Sequence, residues 1–286
     1  MRRVLIATTV LLLAAPASAA AGPDWHHSFQ VNVLTSPRMW EDASAVQFAL
    51  PLSVQARVHG KLHRRIPFSG YTISRRSVGE VLREARRKYH EGNAFIERPL
   101  KARERRHFRS RLVWVDGDVL AVHPTDPLCR SGSSLGAVRD LLTAPAGGRD
   151  IYVPAGLTGD PEHLFGLEWD RGPDAYGRGI KAVGEGSAVA AVASSPGSVA
   201  AVAWSAARWA LDAGRVCAVP LAGVAPTEAT LRDRSYPAAV HAHLVYKRRN
   251  GFRGLGYAKR WYLNHLRSAE TRELLATSRG RARLLP

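Results

Sequence analysis

Three short stretches of this chain place hydroxyl groups where an anion could be held: Thr35-Ser36, Ser74-Arg75-Arg76-Ser77 and Gly156-Leu157-Thr158. All three follow one local plan: a strand-like run ends, a turn bearing hydroxyls or glycine follows, and a helix begins. The first N–H groups of a helix have no partner inside it, and the macrodipole makes that end positive. Hydroxyls beside such an end donate to an oxyanion without any general acid, base or metal ion. Three such loops converging across a cleft would enclose a tetrahedral anion, while each one alone serves equally well as a plain helix cap.

The elements that must position these loops are readable in outline. Residues 29–34 alternate as a strand and run into Thr35-Ser36-Pro37, a hydroxyl cap followed by proline in a first helical turn, which predicts a helix to about Gln47. Residues 53–58 are extended, and residues 66–73 lead into Ser74. Ser77 and Glu80 spell a capping box, and Val78, Val81, Leu82, Ala85 and Tyr89 recur at helical spacing until Gly92. Residues 112–122 read as a buried strand interrupted by Asp116-Gly117-Asp118, with a proline-rich exit at 123–127 suited to a crossing between lobes. Ser131-Gly132-Ser133-Ser134 caps a helix carrying Leu135, Val138, Leu141 and Leu142, and residues 151–153 form a strand before the third loop. Further on, 188–192 and 199–204 flank a Pro196-Gly197 turn, 215–221 is a strand, Pro226-Thr227-Glu228 opens a short helix, and 240–246 is another strand. Two helices close the chain, one with Trp261 and Leu266, the next with Leu274 and Leu275. Strands and helices alternating in this way indicate an α/β protein.

The amino terminus reads as an export signal. Arg2-Arg3 precede an apolar run over 4–15, then Pro16 and Ala17-Ser18-Ala19, which sets cleavage after Ala19. That run is shorter than the roughly 20 apolar residues a bilayer requires, and the longest later candidate, 188–203, carries Ser194-Ser195-Pro196-Gly197 at its centre. The expected protein is therefore periplasmic, with its signal removed, and not integral to the membrane. The remaining length accommodates one large domain or two lobes of roughly 100–150 residues. Lys and Arg number 41 against 24 Asp and Glu, a net charge of +17, which favours anionic partners. The basic residues are spread along the chain, which argues against a nucleic-acid stripe. Their densest run lies within 98–111, with Arg98, Lys101, Arg103, Arg105, Arg106, Arg109 and Arg111 against Glu97 and Glu104.

Other chemistries find little here. His241 and His243 alternate on a strand, but no His pair has zincin spacing, and no G-x-S-x-G elbow or Walker motif occurs. Neither a catalytic site nor a metal or cofactor is expected. Cys129 and Cys217, the only cysteines, form a disulfide or remain two separate buried thiols; nothing in their spacing chooses between these.

From Val113 onward the order of motifs resembles the phosphate-binding protein of ABC phosphate transporters, in the type 2 periplasmic-binding superfamily. The stretches concerned are 116–127, 135–143, Ser195-Pro196-Gly197-Ser198-Val199-Ala200, Leu221-Ala222-Gly223-Val224-Ala225-Pro226-Thr227 with Tyr236-Pro237, and 258–286 with Trp261, Leu266, Glu270 and Leu285-Pro286. The resemblance implies a two-lobed α/β fold with a cleft between lobes: 20–122 in lobe 1, 123–237 in lobe 2, and 238–286 returning to lobe 1. It implies binding of phosphate or a related oxyanion without chemistry, and delivery to an ABC transporter membrane component. By position, Thr35 and Ser36 match the family's first ligand loop, Ser74 and Ser77 its second, and Thr158 its third. Two departures stand out. The second loop lacks the family's Gly-Ser-Gly type run, and the third has Asp160 where an arginine usually follows, leaving Arg75 or Arg76 to supply the cation. The alternative expectation is a degenerate binding fold that meets an anionic envelope surface or a protein partner through its basic face.

Overall fold

The computed structural model describes residues 29–35, 39, 53–58, 62–74, 77–87, 93–143, 148–154, 164–167, 180–247, 268–269, 273 and 283–284. The expected signal, the helix to Gln47 and the two closing helices lie outside the described residues, except for Met39 and a few positions in 268–284. Ten strands run through the described residues in the order β2-β3-β1-β4-β10-β5-β8-β6-β7, with β9 also paired to β5. On one side, β1 (Phe29–Thr35) is parallel to both β3 (Leu62–Ser74) and β4 (Asn93–Ile96), and β2 (Ser53–Val58) forms a hairpin with β3. On the other, β6 (Ile151–Pro154) is parallel to β7 (Ile180–Val183) and β8 (Val199–Ala203).

The two sides share one long strand, β5 (Phe108–Val122). Nine of its first ten residues pair with β10 (Ala239–Lys247), Val113 being skipped at a bulge, and from Asp118 onward it pairs with β8, with β9 (Cys217–Ala218) joining at Ala121 and Val122. The Asp116-Gly117-Asp118 interruption expected from the sequence does not break this strand. Both carboxylates are buried and consume hydrogen bonds from packed neighbours, so polar residues continue the ladder where isolated ones would end it. Gly117 lets Leu231 on α6 (Glu228–Arg232) pack close against the strand, since a Cβ there would force the Leu231 side chain to shift.

Each side has its own core. Helix α1 (Val78–Arg86) lays Val81, Leu82 and Ala85 against Leu34, Ala94, Ile96, Phe108 and Val245. The larger core gathers Val119 to Val122 of β5, Val138 and Leu142 of α3 (Leu135–Thr143), and Val189 and Val192 of α4 (Glu185–Ser194). It also takes in β8 and the inner face of α5 (Trp204–Asp212). Segment 188–192 thus belongs to a helix and 199–203 to a strand.

Several sequence expectations need correction. Helix α1 ends at Arg86, short of Gly92: Arg87 is already extended, and its carbonyl accepts from Lys247 Nζ at 2.7 Å, so a tertiary lysine terminates the helix. Strand β4 has no local signal of its own and exists because β1 and β10 flank it. Of the expected strand 215–221, only Cys217 and Ala218 make a ladder. The Ser77–Glu80 capping box is half made, with Ser77 Oγ accepting from Glu80 N at 3.3 Å. The full reciprocal pair occurs at α6 instead, between Thr227 and Thr230. Cys129, on the short helix α2 (Leu128–Ser131), is disulfide-bonded to Cys217 across 88 residues, tying α2 to β9.

Candidate functional site

Thr35 and Ser74 are the last residues of β1 and β3, and the parallel register makes them direct partners. Two of the hydroxyl loops read from the sequence therefore start side by side on one sheet edge, with Phe95 of β4 on the other flank of Thr35. The Thr35 side chain is fully buried, and its Oγ1 has no hydrogen-bond partner among the described residues. A buried hydroxyl in that state costs about 1–3 kcal/mol unless something bonds to it. Three residues past Ser74, Ser77 caps the amino end of α1 and is exposed, with its hydroxyl oxygen committed to Glu80 N. Ser36, Arg75, Arg76 and Thr158 lie outside the described residues, as does the Asp160 that departs from the family pattern.

Sequence reasoning missed a polar cluster where β5 changes partners. Asp116, 1% exposed, accepts from Ser205 N at 3.0 Å and from Ser205 Oγ at 2.6 Å, which places a carboxylate on the first turn of α5. Ala203 N adds a bond to Glu185 at 3.2 Å. The amino end of α5 thus has two of its N–H groups taken by the protein's own acids. Arg283 completes the cluster from the carboxyl-terminal segment, with Nε 3.6 Å from Asp116 and its guanidinium stacked 4.5 Å over Trp114. Leu284 forms a two-way bridge to Val115 that seats this segment on β5.

Asp118 holds a second point. Its Oδ2 accepts from Phe165 N at 2.6 Å, while Arg139 Nε donates to Phe165 O at 2.8 Å. Both backbone groups of a phenylalanine with φ of 55° are therefore fixed from outside, which a bulky residue in the left-handed region needs. Tyr236 donates its hydroxyl to the Asp118 carbonyl at 3.0 Å, and burial raises the phenol well above its usual range. The only sequence clue to this system was two aspartates flanking a glycine inside an otherwise apolar run.

Of the two strand histidines, His241 is buried and His243 half-buried. His241 Nε2 meets the Leu231 carbonyl at 2.7 Å, and since a carbonyl only accepts, that nitrogen carries the proton. Burial, reinforced by His241 and Arg234, pushes the His243 imidazole down to about 4. Among the described residues no group of three or more His, Cys, Asp or Glu could hold a metal ion, and no helix is long and apolar enough to cross a membrane.

No family model matches the chain, and no curated protein matches its sequence. Solved structures do match its shape. A possible phosphate binding protein from Planctomyces limnophilus superposes with a TM-score of 0.65 at 14% identity, covering 91% of this chain and 94% of that one. A conserved protein of unknown function from Vibrio parahaemolyticus gives 0.56 at 11% identity, covering 88% and 100%. An ABC-type phosphate transport receptor from Vibrio cholerae gives 0.55 at 12% identity, covering 90% and 100%. The chain has the mixed α/β fold of periplasmic-binding proteins.

Proposed function

We propose that this protein is an exported solute-binding protein that holds phosphate or a related oxyanion without chemistry and hands it to an ABC transporter membrane component. The observation that carries the reading is Thr35: a fully buried hydroxyl with no partner among the described residues, in register with Ser74, at the edge that leads to the capped end of α1. A buried donor of this kind is satisfied when an oxyanion enters. Two structures of the same fold are described as phosphate binding or phosphate transport proteins, which supports the choice of ligand class. The separate cores and the change of partner along β5 support two lobes, with 123–237 forming the second and 238–286 returning to the first. In this reading Thr35, Ser36, Ser74, Ser77 and Thr158 donate to the anion, Arg75 or Arg76 supplies its countercharge, and lobe closure buries it.

The test is calorimetric titration with phosphate, sulfate and molybdate at fixed ionic strength, on the wild type and on Thr35→Val. Valine keeps the shape and removes the hydroxyl. A hydrogen bond to a charged group contributes roughly 1.5–3 kcal/mol, so affinity should fall about 10- to 100-fold. The unliganded variant should be no less stable than wild type, because the hydroxyl it loses has no partner among the described residues. Unchanged affinity, or wild-type binding no tighter than millimolar for all three anions, rejects the reading.

A further inference from the structure

The run 101–111 is the densest block of charge in the chain, and the fold turns it into a surface. Lys101, Arg103, Arg105, Arg106, Arg109 and Arg111 are all exposed. The acid that interrupts them, Glu104, faces inward: Arg98 grips it with a two-pronged bond of 2.8 and 2.9 Å, and Lys101 N donates to it at 2.7 Å. That grip holds the Glu104 carboxyl below the usual carboxylate range. Among the described residues none of Arg103, Arg106, Arg109 and Arg111 has a carboxylate partner, so these cations project while the anion is consumed in fixing the turn. Arg105 is oriented by Nε donating to the Leu100 carbonyl at 3.0 Å.

The topology extends this patch and separates it from the Thr35 edge. Phe108 pairs with Lys247, and Lys247 reaches the Arg87 carbonyl at 2.7 Å, which brings the exposed Arg86 and Arg87 at the end of α1 beside the turn. Strand β5 runs parallel to β1 through β4 and β10. The turn before β5 therefore lies toward the amino end of β1, whereas Thr35 and Ser74 close the carboxyl ends of their strands. Arg111, the patch residue level with Thr35, is three ladder steps away, roughly 14 Å.

We infer that this face docks the protein on an anionic phospholipid surface. Protein interfaces centre on desolvated aromatic and apolar side chains within a polar rim, and among the described residues this patch has no such centre; the exposed large apolar residue among them is Trp209, on α5. A delocalised sheet of headgroup charge needs neither shape complementarity nor an apolar anchor, and each Lys or Arg brought to it strengthens partitioning about fivefold. The inference is independent of anion binding at Thr35.

The test is co-sedimentation of the full protein with vesicles of phosphatidylglycerol and phosphatidylcholine, against vesicles of phosphatidylcholine alone. Binding should require the anionic lipid and fade as salt rises from about 0.05 to 0.5 M, because the Debye length shrinks over that range. Free phosphate should displace the protein no better than chloride at equal ionic strength, which separates the surface from a phosphate pocket. Arg103→Gln/Arg106→Gln and Arg109→Gln/Arg111→Gln should each weaken partitioning about 30-fold. Arg130→Gln/Arg215→Gln, which removes the same charge from exposed positions elsewhere, should change it little. Circular dichroism and the thermal midpoint verify that each variant is folded. Equal effects from all three pairs, equal binding to both vesicle types, or binding to polyaspartate but not to vesicles would overturn the inference.

Discussion

Replacing Asp116 by alanine should destabilise the protein by about 3–5 kcal/mol, although this residue touches no candidate ligand group. Its carboxylate is buried and accepts from Ser205 N, Ser205 Oγ and Gly117 N, with Arg283 3.6 Å away. Removing one partner of a buried ion pair costs roughly 3–5 kcal/mol, because the surviving charge stays buried without its counterion. Two bonds from Ser205 to an ionised acceptor, at about 1.5–3 kcal/mol each, give the same scale. With an m value of about 3 kcal/mol per molar urea, the unfolding midpoint should fall by roughly 1–1.7 M. Ser205→Ala, which leaves the backbone bond in place, should cost about 1.5–3 kcal/mol. Once Asp116 is gone, Arg283→Met should cost markedly less than it does alone, with a coupling of about 1–3 kcal/mol between the two positions. Urea unfolding followed by tryptophan fluorescence measures the wild type, the three single variants and the double variant. A loss below about 1 kcal/mol for Asp116→Ala, or strict additivity with Arg283→Met, would refute the claim that this cluster fastens the carboxyl-terminal segment and α5 to the shared strand.

Two more predictions concern stability. Burial lowers the His243 imidazole from 6.5 to about 4, so the unfolded chain binds the extra proton first, and stability present above pH 6.5 is lost as the pH falls toward 4. Discounted for its partial exposure, the loss is about 2–3 kcal/mol; urea midpoints measured from pH 7 to 4.5 should fall less steeply in His243→Gln, and parallel slopes would exclude this histidine as the cause. The Cys129–Cys217 bond closes a separation of 88 residues, worth up to about 4.5 kcal/mol by loop entropy. Cys129→Ser/Cys217→Ser, or the wild type in reductant, should unfold at correspondingly lower urea, and coincident curves with and without reductant would contradict the bond.

Much of the frame follows from local signals. Strand β1 and the start of α1 are legible because alternation and a hydroxyl cap act within one turn of chain, and Ser134, which accepts from Ala137 N at 3.0 Å, behaves as its position before Leu135 requires. The order of strands and helices likewise sufficed for an α/β expectation. What escaped was decided at a distance. The end of α1 depends on a lysine 160 residues away in sequence, β4 on the strands beside it, and the continuity of β5 through Asp116 and Asp118 on partners 89 and 47 residues away. The candidate site divides along the same line. That Thr35 and Ser77 carry hydroxyls near helix starts is a property of the sequence. That Thr35 lies beside Ser74, sealed from solvent with its hydroxyl unpaired among the described residues, arises only when parallel strands set their register. Backbone capping is a contact among neighbours in the chain and is written there, whereas burial and register are relations between segments, and only packing of the whole chain fixes them.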